Sequence, residues 1–356
     1  MPALFTSCSN TKFLADDKSL LIKNKIVCKA KDIKSEELEA LFKQKEIQRS
    51  LFFFRFNTYV YNACSKGKER GLKKWLKAHV GVEPVVYDEL LADKTQDQLT
   101  QFMNNKGYFL ASVYKDVKTR RKKTKVVYKI EHNRPYVVND IEYKCADSII
   151  LKQIVERNKF SFLVKGENFD VQNLENERDR IAKILQHRGY YFFGKEYVVF
   201  EVDSALNAFK INISVTINNP IARDSSDLIV FHKKYMIRNT YFIIDYDYKE
   251  VLRNKTAFLS SLDTLRIQDN VFMLYKGKPY LKPQVIQNCN YIKNNELYNV
   301  SDVDKTRLYL SQNGIFRQIS MDFSEVVDSM VSDSIGMMDC YVQISCLLYT
   351  SPSPRD

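Results

Sequence analysis

Two stretches of the chain carry the same pattern of apolar and polar positions. In VYDELLADKTQDQLTQFMNNKGYF (86–109) the apolar residues Leu99, Phe102 and Met103 recur at i, i+3 and i+4. In NFDVQNLENERDRIAKILQHRGYYF (168–192) Ile181, Ile184 and Leu185 do the same. That spacing predicts one amphipathic helix in each. Tyr87-Asp88 and Gly107-Tyr108 of the first match Phe169-Asp170 and Gly189-Tyr190 of the second at one constant offset, so the two stretches are copies. A third, shorter copy is LYNVSDVDKTRLYLSQNGIF (297–316), with Tyr298-Asn299 and Gly314-Ile315 at the two anchors. Each helix is expected to stop at its glycine, where a C′ residue takes a positive φ.

Past each glycine the pattern alternates with period two, the mark of a strand with one buried face. EYVVFEV (196–202) precedes a run with apolar residues at Phe209, Ile211, Ile213, Val215 and Ile217. SVYKDV and VVYKI flank the charged segment KTRRKKTK (118–125), which reads as a hairpin tip. Ile319, Met321 and Phe323 alternate, and Val342 and Ile344 belong to a second run. Ahead of each repeated helix stand a strand and a first helix: LLIKNKIVCK (20–29) and SEELEALFKQK (35–45), YVVNDIEYKC (136–145) and SIILKQIVERNKF (148–160), and the strand KYMIRNTYFIIDY (234–246). The repeated unit is therefore β-α-α-β-β, an α+β layer of two helices on a small mixed sheet. The expected segments are 1–18, a leader and linker; 19–134, with an insertion at about 46–82; 135–219; and 220–346, with an insertion at about 248–278. The segment 347–356, LLYTSPSPRD, reads as translated adapter sequence and is left out of the fold.

Composition narrows the function classes. Hydrophobic residues make up 45%, enough to build cores, and only ten glycines and eight prolines occur, which argues against flexible linkers. The net charge of +12 admits nucleic acid, an anionic membrane surface or acidic partners without choosing among them. Seven cysteines show no C-x-x-C pair and no Cys/His ligand spacing, so no zinc site is expected. His79, His132, His187 and His232 lack motif partners, and no P-loop, G-x-G-x-x-G or G-x-S-x-G is present. The reading is a non-enzymatic binding protein with no catalytic residue, cofactor or metal.

Three tandem β-α-α-β-β units resemble the POTRA domains of the BamA/TamA outer-membrane assembly superfamily. The segments LFFFRFNTYVYN (51–62), KAHVGVEPVVYDELL (77–91) and 276–323 look most like the TamL-like translocation and assembly lipoprotein of Bacteroidetes. Phe5-Thr6-Ser7-Cys8 is similar to a lipobox and makes Cys8 the lipidation candidate, although Phe5 stands where the family prefers Leu and only seven residues precede Cys8. The resemblance implies three tandem POTRA-like domains, an outer-membrane site facing the periplasm, and a β-barrel C-terminal to the three domains. It implies as partners unfolded outer-membrane protein clients and an inner-membrane-anchored protein of the TamB type, with nucleic acid not expected.

In that family the first strand pairs with the last, leaving the second at an edge where an extended client can add itself as a further strand. The implied client-binding edges run through Tyr108 and Val113, through Tyr191, Tyr197 and Val199, and through Ile315, Ile319 and Met321. Tyr87, Gly107, Phe169, Gly189, Tyr298 and Gly314 are the structural markers of the repeat. Segment 66–79 sets Leu72, Trp75, Leu76 and His79 on one helical face, a profile shared by interfacial helices and by helices packed on their own domain. A BamA-like insertase or secretion-pore arm is the alternative within the superfamily, and a basic nucleic-acid-binding protein is the alternative outside it.

Overall fold

The computed structural model describes residues 14–15, 17–46, 85–204, 209–221, 230–244, 246–326 and 335–346. Cys8, the aromatic stretch at 52–61, the helix expected at 66–79 and the segment 347–356 lie outside the described residues. In chain order the first repeat comprises β1 (Leu20–Val27), α1 (Ser35–Glu39), α2 (Glu89–Asn105), β2 (Ser112–Arg120) and β3 (Lys123–Glu131). The second comprises β4 (Val137–Cys145), α3 (Ser148–Val155), α4 (Val171–Gln186), β5 (Val198–Asp203) and β6 (Lys210–Ile217). The third comprises β7 (Lys234–Ile244), α5 (Tyr248–Ser260), β8 (Asp263–Gln268), β9 (Val271–Tyr275), α6 (Pro283–Cys289), α7 (Val300–Gln312), β10 (Phe316–Val326) and β11 (Ile335–Cys346). The fold is α+β, with the strands in three separate sheets.

The sheets run β1-β3-β2, β4-β6-β5 and β10-β11-β7-β9-β8. β1 is parallel to β3 and β7 parallel to β11, while each closing hairpin (β2/β3, β5/β6, β10/β11) is antiparallel. The first strand of a repeat thus pairs with the last, and among the described residues the penultimate strand takes the edge. The hairpin expected at 118–125 is there: Arg121 and Lys122 both take positive φ (53° and 55°), the backbone a two-residue hairpin turn requires.

The periodic residues are the core. Leu99, Met103, Ile181 and Leu185 are fully buried, as are Ile211, Ile213 and Val215 on one face of β6. In the third repeat Phe242, Met273, Ile286, Leu310, Cys340, Val342 and Ile344 join in one cluster. Three elements depart from expectation. α1 stops at Glu39, because the chain beyond Ala40 turns so that the Lys43 N–H donates to Thr95 Oγ1 (3.1 Å) and the Gln44 side-chain amide to the Val86 carbonyl (2.5 Å). α3 ends at Val155 and a 3-10 turn comes next at Asn158–Phe160. The insertion at about 248–278 is an integral part of the sheet: after α5, which breaks at Asn254, β9 runs parallel to β7 and β8 becomes a new edge.

The chain divides into two compact units. One holds the described residues up to Asn139 together with Lys165–Gln172 and Ser204–Ile211; the other holds Asp140–Val164, Asn173–Asp203 and the residues from Asn212 onward. Among the described residues no helix is long and apolar enough to cross a membrane, which says nothing about strands.

Candidate functional site

Four of the repeat-defining residues, Gly107, Phe169, Gly189 and Tyr298, meet at two joints built alike, while the Tyr87 N–H donates to the Ser19 carbonyl. In the first unit the Tyr136 N–H donates to the Gly107 carbonyl and the Phe169 N–H to the Tyr136 carbonyl, both at 2.9 Å. In the second unit the Tyr235 N–H donates to the Gly189 carbonyl and the Tyr298 N–H to the Tyr235 carbonyl, both at 2.8 Å. Each joint is lined by rings: Phe109 against Tyr136 and Phe169, and Tyr191 against Tyr298 with Phe192 against Tyr235. The glycines have φ of +82° and +99°. A Cβ on Gly107 would stand 2.9 Å from the Phe169 carbonyl oxygen, and one on Gly189 would stand 3.2 Å from Leu297 Cδ2. Gly314, with φ +67°, has no described atom within 4 Å of the same point. The residue after each repeated aromatic is an N-cap: Asp88, Asp170 and Asn299 accept from Leu90, Gln172 and Ser301 N–H at 2.9 Å each. A polar side chain from the preceding helix end meets that cap, Lys106 on Asp170 (2.8 Å) and His187 Nδ1 on Asn299 Oδ1 (2.9 Å). The sequence pattern marked the Tyr/Phe-Asp/Asn pair without its capping role, although the Asp/Asn-first signature of a helix start was present.

A second recurring device was not anticipated. Seven residues into each repeated helix a buried oxygen accepts a backbone N–H from the segment that follows α1, α3 or α6. Thr95 takes Lys43 N–H (3.1 Å), Glu177 takes Phe162 N–H (3.1 Å) and Thr306 takes Tyr291 N–H (2.9 Å). Glu177 is 0 % exposed and is satisfied by Arg180 Nε (2.8 Å), Arg180 Nη2 (2.5 Å) and the Tyr143 hydroxyl (2.7 Å). Burial alone would raise the Glu177 carboxyl; hydrogen bonds from Arg180 and Tyr143 and the Arg180 charge hold it below the ordinary range. Burial and the facing Glu177 push the Tyr143 hydroxyl up to about 12.

The strand edges have definite polarity. The Ile344 carbonyl accepts from Tyr246 N–H on the β7 side, so Ile344 turns away from β10 and its partner Ile319 turns its own backbone groups outward. By alternation Met321, Phe323 and Glu325 do the same, while Gln318, Ser320 and Asp322 bond β11. The side chains of Ile319, Met321 and Phe323 pack on the core, so β10 offers main chain at its edge over a fixed apolar face. β2 and β5 are braced at their starts by the same helix position. Gln96 Nε2 donates to the Val113 carbonyl (2.8 Å) and Arg178 Nε to the Val198 carbonyl (3.0 Å). Lys115 on β2 is further tied to Asp93 and Glu89.

Of the residues implied as client-binding, Val113, Val199, Ile319 and Met321 lie on edge strands β2, β5 and β10. The backbone groups of Val113, Ile319 and Met321 face outward and those of Val199 face β6. Tyr108, Tyr191, Tyr197 and Ile315 lie ahead of the strands. Tyr108 is buried with its hydroxyl on Asp32, and burial raises its pKa further than the hydrogen bond does. Tyr191 belongs to the second joint, and Tyr197 packs on Phe193 and His232. Among the described residues no group of His, Cys, Asp or Glu could hold a metal ion.

No family model matches the chain, and no curated protein does. Solved structures similar to it include BamA POTRA3-5 of Haemophilus influenzae, 11% identical over 94% of this chain and 99% of that one, with a TM-score of 0.43. POTRA1-3 of the periplasmic domain of Omp85 from Anabaena is 11% identical over 92% and 96%, with a TM-score of 0.26. The N-terminal domain of Omp85 from Thermosynechococcus elongatus is 11% identical over 93% and 99%, with a TM-score of 0.24. These scores lie below the range in which a superposition speaks for shared function; the repeat architecture rests on its own strand order and hydrogen bonds.

Proposed function

We propose that this chain is a non-enzymatic periplasmic arm of an outer-membrane protein assembly or translocation factor, and that extended client chains bind it by adding a strand beside β10. The observation that carries the reading is the β10 edge. It spans Phe316–Val326, and from Ile319 onward every second residue presents its N–H and C=O outward. Main-chain bonding tolerates many sequences, which suits a receptor for unfolded chains of differing sequence. β2 and β5 are secondary edges, each with one outward carbonyl already taken. The finer reading is a TamL-like lipoprotein of a Bacteroidetes bacterium, anchored through Cys8 and meeting a TamB-like partner; it rests on the sequence resemblance.

The test is titration of a fluorescent ten-residue peptide of alternating apolar and polar residues, monitored by anisotropy. Met321→Pro removes an outward N–H without taking a bond from β11, and edge strands accept proline. Affinity is expected to fall roughly tenfold, the upper end for one lost hydrogen bond plus disturbed register. Val202→Pro on β5 is expected to leave it unchanged. Equal loss from both variants, or from neither, would remove β10 as the receptor edge.

A further inference from the structure

The second repeat exposes an apolar surface that its fold does not need. Behind α3 the 3-10 turn Asn158–Phe160 leads into a short irregular loop, with Leu163 buried and its neighbours turned out: Phe160 is 62 % exposed, Phe162 45 % and Val164 43 %, and Val155 at the helix end is 47 % exposed. The other two repeats supply an internal control, because the buried-acceptor hydrogen bond fixes the alignment. Phe162 N–H donates to Glu177 as Tyr291 N–H donates to Thr306 and Lys43 N–H to Thr95. At the place of Phe162 and Val164 the first repeat has Lys43 and Lys45, and the third has Tyr291, stacked on Tyr309 at 4.9 Å, and Lys293. At the place of Phe160 the third repeat has Cys289, which is buried. The equivalent places therefore carry Lys43 and Lys45, the half-buried Leu41, the buried Cys289, Lys293 and Tyr291, which is 38 % exposed, and of the three repeats only the second leaves two phenylalanines and a valine exposed together there. Large apolar side chains exposed this closely along one short segment mark a contact surface.

Its flanks point to the partner. Arg157 and Lys159 are exposed beside it, and the Lys159 ammonium lies 4.9 Å from the Phe160 ring centre; Glu156 is the acidic neighbour. Bulky rings at the tip of a short loop, bordered by long cationic side chains that can reach headgroups, suit an interface between water and an anionic bilayer. We propose that the Phe160–Phe162–Val164 face seats the second repeat on an anionic membrane surface, the rings entering the acyl boundary and Arg157 and Lys159 meeting lipid phosphates.

The experiment is flotation of the full chain with vesicles of phosphatidylcholine containing phosphatidylglycerol, and with phosphatidylcholine alone. Binding is expected on the anionic vesicles, and Phe160→Ser with Phe162→Ser is expected to weaken it at least about tenfold, since each ring contributes on the order of a tenfold partition. Both rings are exposed, so thermal unfolding of this variant should match the parent. The second measurement needs no loss of binding. Tryptophan at Phe160 should blue-shift and be quenched by brominated lipid, and tryptophan at Tyr291 should not, over an identical Trp75 background. Vesicle binding unchanged in the serine variant would overturn the proposal, as would no insertion signal at position 160. If the serine pair instead abolishes binding of the peptide used for β10 while vesicle binding persists, the face serves a polypeptide and the membrane assignment is wrong.

Discussion

The second and third repeats solve the same packing problem with different chemistry. Each must satisfy one backbone N–H where the chain leaves the helix ahead of the repeated one, α3 in the second and α6 in the third. The third uses the neutral hydroxyl of Thr306, as the first uses Thr95. The second uses the carboxylate of Glu177, which obliges it to bury Arg180 and to aim the Tyr143 hydroxyl inward. A buried ion pair of this kind gives little net stability over an apolar or neutral equivalent, but removing one partner leaves the other charge uncompensated. The repeats also differ at the strand opposite the penultimate one. β4 is an edge, whereas β7 is closed by β9 from Thr240↔Val271 to Ile243↔Leu274. The joint and the clasp stay constant; the handling of charge and edges around them varies.

The largest expected effect breaks the ionic clasp. Glu177→Thr imports the third repeat's acceptor but strands Arg180, and it should cost about 3–5 kcal/mol in denaturant unfolding. Adding Arg180→Gln, which recreates the first repeat's Thr95/Gln98 pair, should recover most of that loss. A neutral single substitution would mean that Glu177 and Arg180 are not coupled. The same pair sets a pH dependence. Because the Glu177 carboxyl lies below its unfolded value of about 4.3, its contribution is complete above that pH. It is lost as pH falls through the lower folded value. The Glu177→Thr/Arg180→Gln variant should show a flatter acid limb, and an unchanged limb would count against the assignment.

Next come the glycines, ranked by what surrounds them. All three have positive φ, so alanine is strained at each. Gly107→Ala also meets backbone, and should cost about 3 kcal/mol; Gly189→Ala meets a leucine side chain that can shift, about 2; Gly314→Ala meets no described atom, about 1. Equal melting shifts in the three variants would deny the joints any role beyond backbone conformation. The smallest effect is at Lys106–Asp170, where both side chains are partly exposed. Lys106→Ala should lower stability by about 0.5 kcal/mol, less at high salt.

Much of this frame was legible in the chain itself. Periodicity placed Leu99, Met103, Ile181 and Leu185 in the core, and the glycines did mark helix ends with positive φ. Alternation marked Ile319 and Met321 as part of a strand, and the family resemblance implied its edge position; in the structure their backbone groups face outward. The features that stayed hidden depended on contacts between distant segments. Nothing local to Glu177 announces that it will replace a threonine, since an acidic residue on a charged helix reads as a solvated face. The family resemblance puts Tyr108 and Tyr191 on the implied edges, yet they sit ahead of the strands, Tyr108 buried with its hydroxyl on Asp32 and Tyr191 in the second joint's ring cluster. The β8–β9 pair was hidden because short amphipathic strands inside an insertion carry little periodic signal.

The most direct test of the account is residue-resolved amide hydrogen exchange of the chain with and without the saturating alternating peptide. Strand addition at β10 predicts that the outward amides of Ile319, Met321 and Phe323 exchange quickly in the free chain and become protected in the complex. The amides of Gln318, Ser320 and Asp322, already bonded to β11, should change little. Protection confined to other strands, or outward β10 amides that stay fast with peptide bound, would contradict it.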